Sequence, residues 1–456
     1  TIFEKESDAG GVWRDNHYPG AACDIPSHLY SFSFEPGHGW QRKYGQADEI
    51  NQYLKYCIDK YDLKKHIQFN TEISAANFDS EKGLWNLTSQ DGRQNRAKFM
   101  MCAVGQLNRP VYPRLKGLDS FSGTWFHSAK WNHEYDYKGK NIGVIGVGAS
   151  AIQFVPEIVD KTRRLSVFQR SAPYVIPKAD HVYLPFKKFI FKKLPFIQSM
   201  DRAYQYVSHE VRILGFNTGF FGRKIVEPFY KSFIRKAVKD KELLKKVMPG
   251  HDIGCKRILL SNEWYQTLQK QNVSLITEDI EAIVPSGIKT KDGKIHELDC
   301  IIYGTGFAAT DFLAPMTITG VNKIELNKYW SQGAQAYLGL SIHNFPNMFM
   351  LYGPNTNLGH SSIIYMLESQ FAYILSAIKS VQRNNVRYLN LRKRIEIDFN
   401  ETLQQRLKAS IWASGCSSWY QNSAGKVISN WPDFTFKYRR LCKRFDLNHY
   451  ELTSND

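Results

Sequence analysis

The sequence is poor in cysteine, short of acidic residues and free of long apolar runs. Its seven cysteines are scattered over 456 residues with no C-x-x-C pair. Neither a disulfide framework nor a zinc site is suggested, and such usage fits a reducing, cytoplasmic setting. No stretch of about 18 apolar residues occurs, which leaves no candidate for a membrane-spanning helix. The first residues, Thr1-Ile2-Phe3-Glu4-Lys5-Glu6, offer neither an initiator Met nor an apolar signal stretch, and they look like the interior of a structural element. Asp and Glu number 43 against 60 Lys and Arg, a formal net charge of +17. That excess would attract phosphates, anionic cofactors or an anionic membrane face without choosing among them.

What is present is ample apolar material: 43% hydrophobic and 14% aromatic residues exclude disorder as the main state. The length suggests about two to four domains. Residues 140–159 read KNIGVIGVGASAIQFVPEIV, an apolar run, a glycine turn and then apolar residues at helical spacing. Gly146-x-Gly148-x-x-Ala151 occupies that turn, with Ala149, Ser150 and Gln153 beside it. Small residues there let backbone N–H groups approach a pyrophosphate at the helix N-terminus. The next strand ends in Gln169-Arg170-Ser171, where an NAD enzyme carries an acid for the ribose 2′-hydroxyl. A neutral residue followed by arginine favours the 2′-phosphate of NADP.

The start of the chain, Ile2-Phe3-Glu4-Lys5, repeats the pattern Val167-Phe168-Gln169-Arg170 but ends in an acid. It reads as the second strand of another dinucleotide fold, with Glu4 holding an adenosine ribose. Gln169 lies 23 residues after Gly146. The same spacing from Glu4 places a first glycine before Thr1, so a first phosphate loop is expected upstream of this sequence. Between the copies, residues 48–65 carry a helical apolar face, and 67–78, 84–90 and 97–104 read as short strands. Residues 175–250 read as an inserted helical region. Asp299-Cys300-Ile301-Ile302-Tyr303 is a buried strand running into Gly304-Thr305-Gly306-Phe307, and a helix is expected over 361–382.

Two further patterns are specific. Phe121, Gly123, His127 and Trp131 fit F-x-G-x-x-x-H-x-x-x-W, and Gly11, Trp13, Tyr18, Pro19, Gly20 and Asp24 fit G-x-W-x-x-x-x-[FY]-P-G-x-x-x-D. Together with the two glycine turns, these resemble the type I Baeyer-Villiger monooxygenases, within the wider flavin-containing monooxygenase group, over essentially the whole chain. Asn132 and Gly304 depart mildly from the usual pattern at turns.

The resemblance implies an α/β fold with two dinucleotide-binding (Rossmann-like) domains and an inserted helical region. The expected organisation is 1–130 and 306–456 as the two parts of an FAD-binding domain, 138–174 with 251–305 as an NADP-binding domain, and 175–250 as the insertion. It implies FAD and NADPH as cofactors, with O2 and an apolar ketone as co-substrates. Arg257 matches the family's active-site arginine, a cation able to stabilise anionic oxygen, and Asp24 the acid that orients it. Lys256 resembles the residue that joins Arg170 on the 2′-phosphate. Glu4, Lys5, Trp13, Asp24, Tyr30, Ile73 and Trp419 complete the implied cofactor contacts. His127 is expected to link domains by hydrogen bonding rather than to act as a base.

Two rivals compete with that reading. An N- or S-oxidising flavin monooxygenase shares the architecture, although Trp131, Asp24 and Arg257 favour Baeyer-Villiger chemistry. A basic surface-binding protein is the rival from another class. Residues 186–196, FKKFIFKKLPF, interleave lysine with phenylalanine and suit either an anionic membrane surface or an ordinary amphipathic helix with one core face.

Overall fold

The strand, turn and helix around Gly146 form the centre of a five-stranded parallel sheet. In the computed structural model, which describes residues 1–37, 39–217, 222–416 and 418–454, Asn141–Ile145 lies between Arg164–Phe168 and Cys300–Tyr303. Val273–Ile276 extends one edge and Thr124–His127 closes the other. The near-continuous burial of Arg164–Phe168 and Cys300–Tyr303 is what a parallel sheet covered on both faces requires. The strand order reverses between Asn141–Ile145 and Cys300–Tyr303, so a crevice opens at their carboxyl ends, where sheets of this kind bind ligands.

Helix Ala151–Ile158 leaves the glycine turn and buries Ile152, Phe154, Val155 and Ile158 in one core with Ile142, Val144, Leu165, Val167 and Trp264. Trp131 belongs to this core as well. Its ring centroid is 5.0 Å from that of Phe154, 5.3 Å from Phe126 and 6.3 Å from Tyr18, so it packs the Tyr18 loop against the sheet domain.

The remainder builds the second nucleotide-binding half. Ile73–Asp79, Leu84–Ser89 and Gln94–Ala97 run antiparallel, with Thr317–Thr319 parallel on the outer edge. Burial alternates along Leu84–Ser89, and the buried Trp85 donates its indole N–H to the Pro346 carbonyl at 2.8 Å. Short parallel pairs join Ile2–Phe3 to Ile67–Gln68 and Met100–Cys102 to Met348–Met350. Helix Ile363–Arg383 buries Met366, Tyr373, Ile374, Ala377 and Val381. The fold is thus α/β with two dinucleotide-binding domains and an inserted helical region.

Several boundaries differ from the sequence reading. The helix expected over 48–65 is Ala47–Lys60, because Asp62 adopts a positive φ and starts a turn. The strand expected over 67–78 breaks at Asn70, also at positive φ. The strand expected over 97–104 is two pieces, Gln94–Ala97 and Met100–Cys102, which join different sheets. The insertion opens with Val175–Ile176, a strand paired with Leu259–Leu260, and its helices start at Pro185.

One expectation from composition is overturned. Cys255 and Cys416, 161 residues apart, form a disulfide with Cα atoms 6.3 Å apart, while the other five cysteines are free and buried. Sequence spacing concealed the pair because its two loops meet only in the fold, beside Lys256 and Trp419.

Candidate functional site

A cavity of about 1880 Å³ opens at the crevice. Ligand pockets are commonly about 300–1,000 Å³, so this one has room for two dinucleotides and a substrate. Three parts of the chain wall it: Trp13, Asp24 and Tyr30 from the N-terminal segment; the glycine turn, Arg170, Ser171, Lys256 and Arg257 from the sheet domain; and Tyr352, Trp419 and Tyr420 from the C-terminal part.

The glycine turn is set by close packing. Gly146 has φ 106°, and a Cβ there would stand 2.5 Å from the Gly304 carbonyl oxygen. Gly148, Ala149 and Ser150 line the cavity, while Ala151 is fully buried behind them. No side chain caps the helix that follows; the Ile152 and Gln153 N–H groups bond back to the Gly148 and Ser150 carbonyls at 3.1 and 3.0 Å, and the partial positive charge of the helix start suits a pyrophosphate. Gln153 also reaches the wall, but its amide is already engaged. Its Oε1 accepts from the Tyr18 hydroxyl at 3.0 Å and the Ala22 N–H at 3.3 Å, and its Nε2 donates to the Ala22 carbonyl at 3.0 Å. Gly20 lets that loop come close: its φ is 76°, and a Cβ would meet the Gln153 carbonyl oxygen at 2.8 Å.

At the end of the second strand, Gln169 turns inward and donates to the Lys246 carbonyl at 2.8 Å. Arg170 is exposed beside the cavity, and Lys256 donates to the Ser171 hydroxyl at 2.9 Å. Among the described residues neither cation forms an ion pair. Burial, and then the charge of Arg170, hold Lys256 below the usual lysine value. Asp279, the acid near Arg170, is itself ion-paired with Lys291 at 2.8 Å, so two cations that repel each other are left to meet a doubly charged phosphate.

Arg257 is held differently. Its Nη2 donates to Asp24 Oδ2 at 2.8 Å, and Lys178 Nζ lies 3.6 Å from the other carboxylate oxygen. Burial disfavours the charged guanidinium, but the Asp24 carboxylate outweighs it and holds Arg257 well above the usual arginine value. Although deep in the protein, 40% of its side chain is open to the cavity, against 14% for Asp24. The tyrosine rings of 352 and 420 stand near enough to act on its charge. The result is a permanent, oriented cation facing enclosed space.

Also lining the cavity, the Trp13 indole N–H donates to the Tyr30 hydroxyl at 3.2 Å, with the rings edge to face at 5.7 Å. Glu4, Lys5 and Ile73 do not line the cavity. Glu4 accepts from the Glu6 N–H at 3.0 Å and lies 3.7 Å from Arg14, Lys5 pairs with Glu6 at 3.6 Å, and Ile73 packs at the edge of another core. His127 is buried, and its Nδ1 accepts from the Ala129 N–H at 3.0 Å. Its ring stands edge-on to Phe307 at 5.9 Å. Burial lowers its pKa to about 4, so it is neutral at pH 7 and sits at the junction of the F-x-G motif and the Gly304 turn.

Sequence reasoning missed Lys178, which donates to the Cys23 carbonyl at 2.9 Å and braces Asp24. It also missed His360, a cavity residue whose buried ring is kept neutral, with a pKa lowered to about 3 by burial. Neither lies within a recognisable motif. Lys178 follows Ile176-Pro177 in a loop, and His360 stands just before a helix.

Residues 1–330 match the family model described as flavin-binding monooxygenase-like. A Baeyer-Villiger monooxygenase of Pseudomonas aeruginosa is 42% identical over 455 residues, covering 99% of this chain and 86% of that protein. Among solved structures, an oxidised steroid monooxygenase bound to NADP is similar with a TM-score of 0.89 and 29% identity, and OTEMO in complex with FAD and NADP with a TM-score of 0.89 and 26% identity. In both, the match covers 99% of this chain and 94% of the other.

Proposed function

Because the chain belongs to the flavin-binding monooxygenase-like family, we propose that it is an FAD- and NADPH-dependent Baeyer-Villiger monooxygenase that converts an apolar ketone to an ester or lactone. In balance, ketone, O2, NADPH and a proton give ester, water and NADP⁺. Bound FAD, reduced by NADPH, supplies the electrons with which O2 is activated. The observation that carries the reading is the Asp24–Arg257 pair facing the cavity between the glycine turn and Trp13.

Each residue then has a physical task. Arg170 and Lys256 hold the 2′-phosphate, since both are cationic and, among the described residues, neither is in an ion pair. The open helix start at Ser150 and Ala151 receives the pyrophosphate. Trp419 closes on the nicotinamide side, and Trp13 and Tyr30 form the flavin-facing wall. Arg257 places a fixed positive charge where negative charge gathers on reacting oxygen, and a preorganised cation in a dry cavity stabilises such charge without reorganising. Asp24 and Lys178 fix its direction. The same cation discourages protonation of anionic oxygen, which favours attack on a carbonyl carbon over transfer to sulfur or nitrogen.

The test is to supply the holoenzyme with NADPH, O2 and a panel of cyclic and linear ketones, and to analyse products by mass spectrometry. Esters or lactones are expected. Oxidised amines or thioethers with no ester from any ketone would assign the chain to the N- or S-oxidising branch.

A further inference from the structure

Helix Pro195–Glu210 is inside out. Its buried residues are polar: Gln198, Gln205, His209 and Glu210. Gln198 donates to the Gly37 carbonyl at 3.1 Å and Glu210 accepts from the Thr435 hydroxyl at 2.7 Å. Phe196, Met200, Tyr204, Val207 and Val211, spaced by three or four residues along its other face, are all exposed, Tyr204 to 70% and Met200 to 66%. A helix facing water shows the reverse arrangement.

The neighbouring helix, Pro185–Lys193, continues the surface. Phe186 is 73% exposed, Phe189 is also exposed, and Lys192 and Lys193 stand beside them. Residues 185–237 contain eleven Lys and Arg against three Asp and Glu. Each of the three acids is already occupied: Asp201 by His28 at 2.8 Å, Glu210 by Thr435, and Glu227 by Lys231 at 2.7 Å.

We infer that helices Pro185–Lys193 and Pro195–Glu210 dock this enzyme on an anionic lipid surface, their phenylalanines, Met200 and Tyr204 entering the headgroup boundary and their lysines meeting lipid phosphates. Exposed aromatic and aliphatic residues beside unpaired lysines are the composition that binds in the plane of such an interface. A second copy of the chain fits the apolar stripe but would bring two lysine-rich faces together. Among the described residues no helix is long and apolar enough to cross a membrane, so the contact is peripheral. The stripe ends at Val211, which with Ser208, Arg212 and Phe216 lines the cavity. On the proposed chemistry, an apolar ketone dissolved in lipid would meet the cavity mouth there.

The test is read without turnover, so it stands or falls apart from that chemistry. The FAD-loaded protein is floated with vesicles of phosphatidylcholine alone or with phosphatidylglycerol added, at low and high salt. Binding to the phosphatidylglycerol vesicles is expected, weaker at high salt. F196S/M200S should weaken it about tenfold or more, and K192E/K193E should remove the preference for phosphatidylglycerol. Circular dichroism and FAD content check that both variants are folded. Background binding by the unmodified protein would overturn the inference, as would unchanged binding by F196S/M200S. A concentration-dependent dimer that F196S/M200S abolishes would assign the face to a second copy instead.

Discussion

Two cationic sites share one cavity, and they are built in opposite ways. Arg257 is clamped by a carboxylate at 2.8 Å that Lys178 also approaches, whereas among the described residues neither Arg170 nor Lys256 is in an ion pair, and Asp279, the acid near Arg170, is bound to Lys291. A clamped cation keeps its charge and direction whatever occupies the site, which suits a group that must act on transient negative charge. An unrelieved pair of cations is uncomfortable until an anion arrives, which suits a binding site. The difference is legible in the partners rather than in the residue types, since both sites are made of basic side chains.

The sharpest way to break the comparison is to remove the clamped cation. Arg257→Ala should lower ester formation by about 10²–10³-fold while NADPH is still consumed and oxygen leaves as hydrogen peroxide. Product analysis beside peroxide assay checks this. Arg257→Lys should recover little, because an ammonium lacks the planar fork that reaches substrate and Asp24 together.

Removing an unclamped cation should have a smaller and selective effect. Arg170→Ala should cost roughly tenfold or more in kcat/KM for NADPH, the worth of one charge-assisted contact, and leave NADH kinetics nearly unchanged. Equal losses with both nucleotides would show that Arg170 supports the fold.

A third case sharpens the contrast by putting a buried carboxyl where, among the described residues, no cation pairs with it. Glu396 accepts from the Tyr329 hydroxyl at 2.9 Å and the His343 N–H at 3.1 Å, and burial raises its pKa from 4.5 to about 7. In that window the folded protein keeps a proton that the unfolded chain releases. Its stabilising contribution is therefore complete below pH 4.5 and is lost as the pH rises through about 7. Glu396→Gln should remove this slope. Between pH 5 and pH 8 the Tm of the unmodified protein should fall by a few degrees more than that of the variant, as a term on the order of a few kcal/mol implies. Parallel curves would contradict it.

The sheet domain was the most legible part of the molecule because its signals are local. Asn141–Ile145, the Gly146 turn and Ala151–Ile158 follow one another in sequence, and the neutral Gln169 announces the cation that follows. The disulfide between Cys255 and Cys416, and Lys178 behind Asp24, were hidden because each joins segments more than a hundred residues apart. The basic stretch 186–196 was visible as composition. Its meaning depends on helix Pro195–Glu210, where the exposed stripe has ordinary helical spacing and only the burial of Gln198, Gln205 and His209 shows which face is inside. Glu4, Lys5 and Ile73, expected from the resemblance, are not among the residues that line this cavity.

The most direct test of the central claim is to run the holoenzyme with a ketone under ¹⁸O₂ and weigh the product. The account predicts an ester that carries a single ¹⁸O atom at its bridging oxygen, formed by the unmodified protein and lost in Arg257→Ala with peroxide in its place. Unlabelled ester, or equal labelled ester from Arg257→Ala, would contradict it.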